Sequence, residues 1–140
     1  MKTFVMAFLK RGPNRPQDSI AAADLLRSHL DNILTLAQTE KLVVAGPFID
    51  TGDLRGIYIF DVATIEEAKK LTETDPAIQQ SSLVMELKLW YGSAALLQIN
   101  EIHKTIQKTE IAGVATTQTW RRSRWDRVRR HMTNGGELQK

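Results

Sequence analysis

The chain has 140 residues, a net charge of +3 at neutral pH and no cysteine. That length supports one hydrophobic core without metal or disulfide staples. The missing thiols exclude cysteine nucleophiles, thiolate metal sites and a disulfide framework, and they fit a reducing cytoplasm. The positive charge is local: residues 111–140 hold seven Lys/Arg against two Asp/Glu, whereas residues 1–110 hold twelve against fourteen. The opening run Met1 to Leu9 is followed by Lys10-Arg11-Gly12-Pro13 where a small-residue cleavage site would stand, so it is read as part of the fold and not as a signal peptide. No apolar stretch approaches the ~20 residues of a transmembrane helix.

In chain order, Thr3 to Leu9 predicts a strand that is apolar on both alternating faces and ends at Gly12-Pro13. Residues 11–17 read as a loop, with Asp18 or Ser19 able to cap the next helix. From Ile20 to Ala37 the spacing of Ala22, Leu26, Leu30, Ile33 and Ala37 is helical, and it places His29 at the edge of the apolar stripe. Lys41 to Phe48 and Gly56 to Val62 predict a hairpin around the turn residues Asp50 to Asp53. Thr64-Ile65-Glu66-Glu67 is a capping box opening a second helix that should carry Ile65, Ala68 and Leu71 inward. Asp75-Pro76 interrupts it, and Leu83 to Tyr91 supplies a fourth strand, followed by a third helix with Leu96, Ile99, Ile102 and Ile106 on one stripe.

The order strand, helix, strand, strand, helix, strand is the split βαβ arrangement of a ferredoxin-like α+β sandwich. Its expected organisation is a domain over 1–92, a C-terminal helix over 93–110 and an Arg/Trp-rich, poorly ordered tail over 111–140. Two helices cover only one face of a four-stranded sheet, yet three strands are apolar on both faces. The third helix or a second copy of the chain must cover the other, and a face-to-face homodimer is the simpler expectation for so small a chain.

Two residues suggest chemistry. His29 carries an imidazole, whose ordinary pKa of about 6.5 lets it exchange a proton near neutrality. Asp75 carries a carboxylate, which can fix an imidazole's tautomer and orientation. A plainer reading makes His29 a partly buried histidine bonded to a carbonyl, and makes Asp75 the N-cap of the turn after it, since a residue before proline is pushed out of the α region. Both roles can coexist in one aspartate.

Phe4 to Pro13, Ser28-His29-Leu30-Asp31-Asn32-Ile33, Lys41 to Phe48, Gly56 to Val62 and Thr74-Asp75-Pro76 together resemble the YCII-related (YciI-like) proteins. The resemblance spans roughly residues 1–92. It implies a ferredoxin-like domain that pairs into a dimeric α/β barrel, with an active site built around a histidine and an aspartate, which fall on His29 and Asp75. The loop over residues 11–17 is longer than the family's pattern, and residues 93–140 lie beyond it.

The function expected is cofactor-independent acid–base catalysis on a small organic molecule: proton abstraction, elimination, isomerisation or water activation. Lys10 and Arg11 are candidates for binding an anionic substrate, and Tyr58 and Trp90 for lining an aromatic pocket, against solvation of a strand end for the first pair and core or dimer packing for the second. His103 and His131 lack ligand spacing to any acidic cluster, so no metal site is expected. The alternatives are a non-catalytic ligand-binding or accessory domain, and a nucleic-acid binder acting through Trp120 to His131, where six arginines interleave with two tryptophans.

Overall fold

The computed structural model describes residues 1–107. The elements run β1 (Lys2–Arg11), α1 (Ser19–Gln38), β2 (Leu42–Pro47), β3 (Leu54–Phe60), α2 (Ile65–Thr72), α3 (Pro76–Gln79), β4 (Leu83–Gly92), a 3-10 turn (Ala94–Gln98) and α4 (Ile99–Ile106). The sheet order is β2-β3-β1-β4 with every neighbouring pair antiparallel. This is the ferredoxin-like topology, with β1 and β3 in the middle. The Arg/Trp tail and the nucleic-acid expectation attached to it lie outside the described residues.

Side-chain alternation along β1 sends Val5, Ala7 and Leu9 to one face and Phe4, Met6, Phe8 and Lys10 to the other. The first set joins Tyr58, Phe60, Leu42, Leu36 and Ala68 in the larger core beneath α1 and α2. The second face has a smaller core of Phe4, Val43 and Ile59, with Leu96 and Ile99 packed on it. A register shift between Leu42 and Val44 is a bulge that turns both Val43 and Val44 to this second face. The 3-10 turn and α4, the C-terminal helix expected from the sequence, thus cover part of the second face, anchored by Asn100 Nδ2 donating to the Leu42 carbonyl at 3.0 Å. Val84, Trp90, Ile102 and Ile106 remain exposed.

The caps follow the sequence closely. Asp18 accepts from the Ala21 amide at the start of α1, and Thr64 Oγ1 accepts from the Glu67 amide while Glu67 Oε2 accepts from the Ala63 amide at the start of α2. Each such cap contributes on the order of 1 kcal/mol. Two expectations are corrected. Ile65 is exposed, because the face of α2 that meets the sheet carries Ala68 and Thr72, with Leu71 partly buried beside them. The buried line of α1 runs through Leu25, Ile33 and Leu36, and His29 falls on that line instead of at its edge. Ile20, near the start of the expected apolar run, is exposed.

Candidate active site

His29 lies one turn after Leu25 and one turn before Ile33, so the rotation that buries the α1 stripe also drives its ring toward the sheet. Below it stands Tyr58, which β3 presents opposite Ala7 of β1. The two rings are stacked, with centroids 6.3 Å apart and planes 19° apart, and the Tyr58 hydroxyl lies 3.4 Å from His29 Nε2. Tyr58 in turn packs edge-on against Phe60.

Asp75 comes from the turn between α2 and α3. Its Oδ1 accepts from the Ala77 amide at 2.9 Å, and Pro76 occupies the first position of α3, where its missing N–H costs nothing. The other oxygen, Oδ2, is 2.6 Å from His29 Nδ1. Asp75 is therefore both an N-cap and the partner of the imidazole, 46 positions away in sequence. A second contact supports this geometry: Asn32, next along α1, donates from Nδ2 to the Thr74 carbonyl at 3.2 Å and to Thr74 Oγ1 at 2.8 Å. Sequence reasoning missed Asn32, although its spacing of three residues from His29 puts it on the same helix face.

The pair is screened from water. The Asp75 side chain is 1% exposed and that of His29 13%. A hydrogen bond to a charged group in such a place is worth about 1.5–3 kcal/mol. Nδ1 is the ring nitrogen that meets the carboxylate, and Nε2 is the one that faces Tyr58. Burial, and after it the Asp75 charge, pushes the Tyr58 phenol well above its ordinary pKa, so it remains a proton donor.

Beside the pair, an open cleft of about 540 Å³ lies between the loop after β1, the outer turns of α1 and the end of α3. Its wall passes along Leu25 and Ser28, reaching the helix positions next to His29 without including the ring. Backbone bonds hold the loop in place: the Gly12 and Asn14 amides donate to the Ser82 and Ser81 carbonyls at 3.0 and 3.1 Å. A Cβ at position 12 would lie 2.1 Å from the Ser81 carbonyl oxygen, so only glycine permits this approach.

The remaining candidates are divided between the two faces of the sheet. Arg11 stands at the end of β1 with the helix-side set. Lys10 and Trp90 lie on the far face, Lys10 in an ion pair with Glu86 and Trp90 against Phe4 with ring centroids 6.0 Å apart. The geometry brings His29, Asp75 and Tyr58 together and leaves Lys10 and Trp90 across the sheet from them. Among the described residues, no three of the His, Asp and Glu side chains are grouped so as to hold a metal ion. His103 is on α4 and His131 lies outside the described residues.

The topology and this buried histidine–carboxylate pair define an α+β sandwich with its polar centre under the first helix. The YCII-related domain profile matches residues 4–91, and the chain belongs to that family. No curated protein matches it. Among solved structures, it is similar to 5-chloro-2-hydroxyhydroquinone dehydrochlorinase (TftG) from Burkholderia phenoliruptrix AC1100 in complex with 2,5-dihydroxybenzoquinone, with 20% identity, a TM-score of 0.48, and coverage of 66% of this chain and 96% of that one. No helix among the described residues is long and apolar enough to cross a membrane.

Proposed function

We propose that this chain is an acid–base enzyme acting on a small organic molecule in the cytoplasm, with His29 as the proton carrier and Asp75 as the group that orients it. The observation supporting this reading is the 2.6 Å contact between His29 Nδ1 and Asp75 Oδ2 at a carboxylate withdrawn from water. With Nδ1–H committed to Asp75, the Nε2 lone pair takes a proton from a carbon beside a carbonyl or from water, and the imidazolium that forms stays beside the carboxylate. Elimination, isomerisation and hydration all begin with that step. Tyr58 is the second proton donor of the site. Its 3.4 Å contact with Nε2 is long for a hydrogen bond, so a substrate oxygen displaces it at little cost.

A second copy of the chain completes the assembly. The sheet face carrying Val84 and Trp90, which α4 leaves uncovered, and the outer stripe of α4 itself with Ile102 and Ile106, present apolar surface for it.

The test is exchange of carbon-bound hydrogen with D2O across a panel of small carbonyl compounds, followed by NMR. The wild-type chain is expected to catalyse exchange, and a folded His29→Gln variant to lose about 10²-fold or more of it. Equal turnover by the variant contradicts the catalytic role. Saturable binding without exchange in both proteins selects the non-catalytic, ligand-binding alternative.

A further inference from the structure

The cleft beside the dyad has a charge pattern that the acid–base reading does not use. Arg15 lines it from the loop after β1, and Leu25 and Pro16 supply apolar wall. Among the described residues the Arg15 guanidinium makes no hydrogen bond or ion pair, whereas that of Arg55 nearby is tied into the fold. Arg55 is buried, donating to the Asp50 and Gly52 carbonyls. Desolvation against the cleft wall, and after it the charges of Arg11 and Arg55, lower the Arg15 pKa. The guanidinium is thus a cation near other cations with no acidic partner among the described residues, and an anion placed before it relieves that repulsion. Asp24, the acidic residue lining the cleft, is engaged by Arg27 at 3.2 Å.

We propose that this cleft binds the carboxylate of a small organic acid, with Arg15 as its counter-ion, and that this acid is the molecule presented to His29. The second clause rests on the acid–base reading; the first does not. A planar carboxylate matches the guanidinium fork, and one negative charge suits a wall that also carries Asp24 better than the two of a phosphate. Leu25 and Pro16 receive the apolar body of the acid, and Gln80, at the end of α3, also lines the cleft and carries an amide donor. Leu25 and His29 are one helical turn, about 6 Å, apart on the same side of α1. The cleft wall at Leu25 and Ser28 adjoins His29 along α1 without including its ring, so an acid held there by its carboxylate meets the imidazole by extending a second functional group past Leu25.

The test is an NMR titration of the full-length, ¹⁵N-labelled chain with benzoate, using benzyl alcohol and inorganic phosphate as comparisons. Benzoate is expected to shift the Leu25, Ser28 and Gln80 amides saturably, benzyl alcohol to leave them in place at the same concentration, and phosphate to bind more weakly. Arg15→Gln should weaken benzoate about tenfold or more, and Arg15→Lys should restore part of that loss. Both variants alter an exposed loop residue, and an unchanged amide spectrum elsewhere verifies their fold. No saturable shift, an equal response to benzyl alcohol, phosphate binding as tightly as benzoate, or unchanged affinity in Arg15→Gln each overturns the proposal. Because His29→Gln is expected to retain benzoate binding, failure of the cleft and failure of the catalytic reading give different results.

Discussion

The two faces of the sheet each hold a short ion pair or its equivalent, and the two could hardly differ more in what they do. His29 Nδ1 and Asp75 Oδ2 are 2.6 Å apart under α1, with side chains 13% and 1% exposed; Lys10 Nζ and Glu86 Oε2 are 2.5 Å apart on the other face, with side chains 43% and 42% exposed. Contact length alone therefore says little. The outer pair sits in high dielectric and is screened by salt, whereas the inner pair is largely withdrawn from water, so a bond lost there is poorly replaced. That asymmetry is what makes the inner pair a candidate for chemistry and the outer one a feature of a wet surface.

The largest expected effect lies in the core that carries the inner pair. Tyr58→Ala should cost about 3–5 kcal/mol in denaturant unfolding, because the ring is packed against both His29 and Phe60. Asp75→Ala follows, at about 2–4 kcal/mol, since it removes a buried charged hydrogen bond and the cap of α3 together. Asp75→Asn separates the two contributions, because asparagine caps as well as aspartate but brings no charge to the imidazole. By contrast Lys10→Ala should leave the unfolding midpoint where it is. A Lys10 loss as large as that of Asp75 would erase the distinction between the faces.

Titration sharpens the same comparison. Tyr58 has a raised pKa in the fold, so its contribution to stability is fully present below its unfolded pKa, about 10, and is lost as pH rises above that value, where the unfolded chain releases the proton first. Wild-type stability should fall more steeply than that of Tyr58→Phe above pH 10, which alkaline denaturant curves measure. On the outer face, hydrogen bonds and charge from Lys10 and Lys88 hold Glu86 down at about 2. Stability from that group is present above the ordinary carboxylate pKa and lost as pH falls toward 2, and its exposure keeps the effect small. Carbon-detected NMR should find the Glu86 midpoint rising toward the ordinary value in about 1 M salt. A midpoint indifferent to salt would mean that this pair is not a surface pair at all.

Much of the fold was legible because its signals are local. The Thr64 to Glu67 capping box, the Asp75-Pro76 helix start and the alternation in β1 are decided by residues within a few positions of one another. The pairing of His29 with Asp75 was legible only through the family resemblance, since nothing local joins residues 46 apart. What escaped was decided by tertiary packing. Which face of β1 meets the helices cannot be told when both are apolar, and so Lys10 and Tyr58 could not be assigned to opposite sides. Tyr58 was weighed as a pocket or packing residue, and its hydroxyl contact with Nε2 depends on the rotation of α1, which the expected apolar stripe placed one position off. Arg15 and Gln80 lie in turns whose shape is set by the Gly12 and Asn14 bonds to Ser82 and Ser81, and no periodicity reports such contacts.

The central claim is that the carboxylate holds the imidazole with Nδ1 protonated and Nε2 free to receive a proton. Long-range ¹H–¹⁵N NMR of the His29 ring, recorded on the wild-type chain and on Asp75→Asn at a pH where the ring is neutral, tests it directly. The account predicts a protonated Nδ1 and a bare Nε2 in the wild type, with that preference lost in the variant; a proton on Nε2 with Nδ1 bare, or no difference between the two proteins, would contradict it.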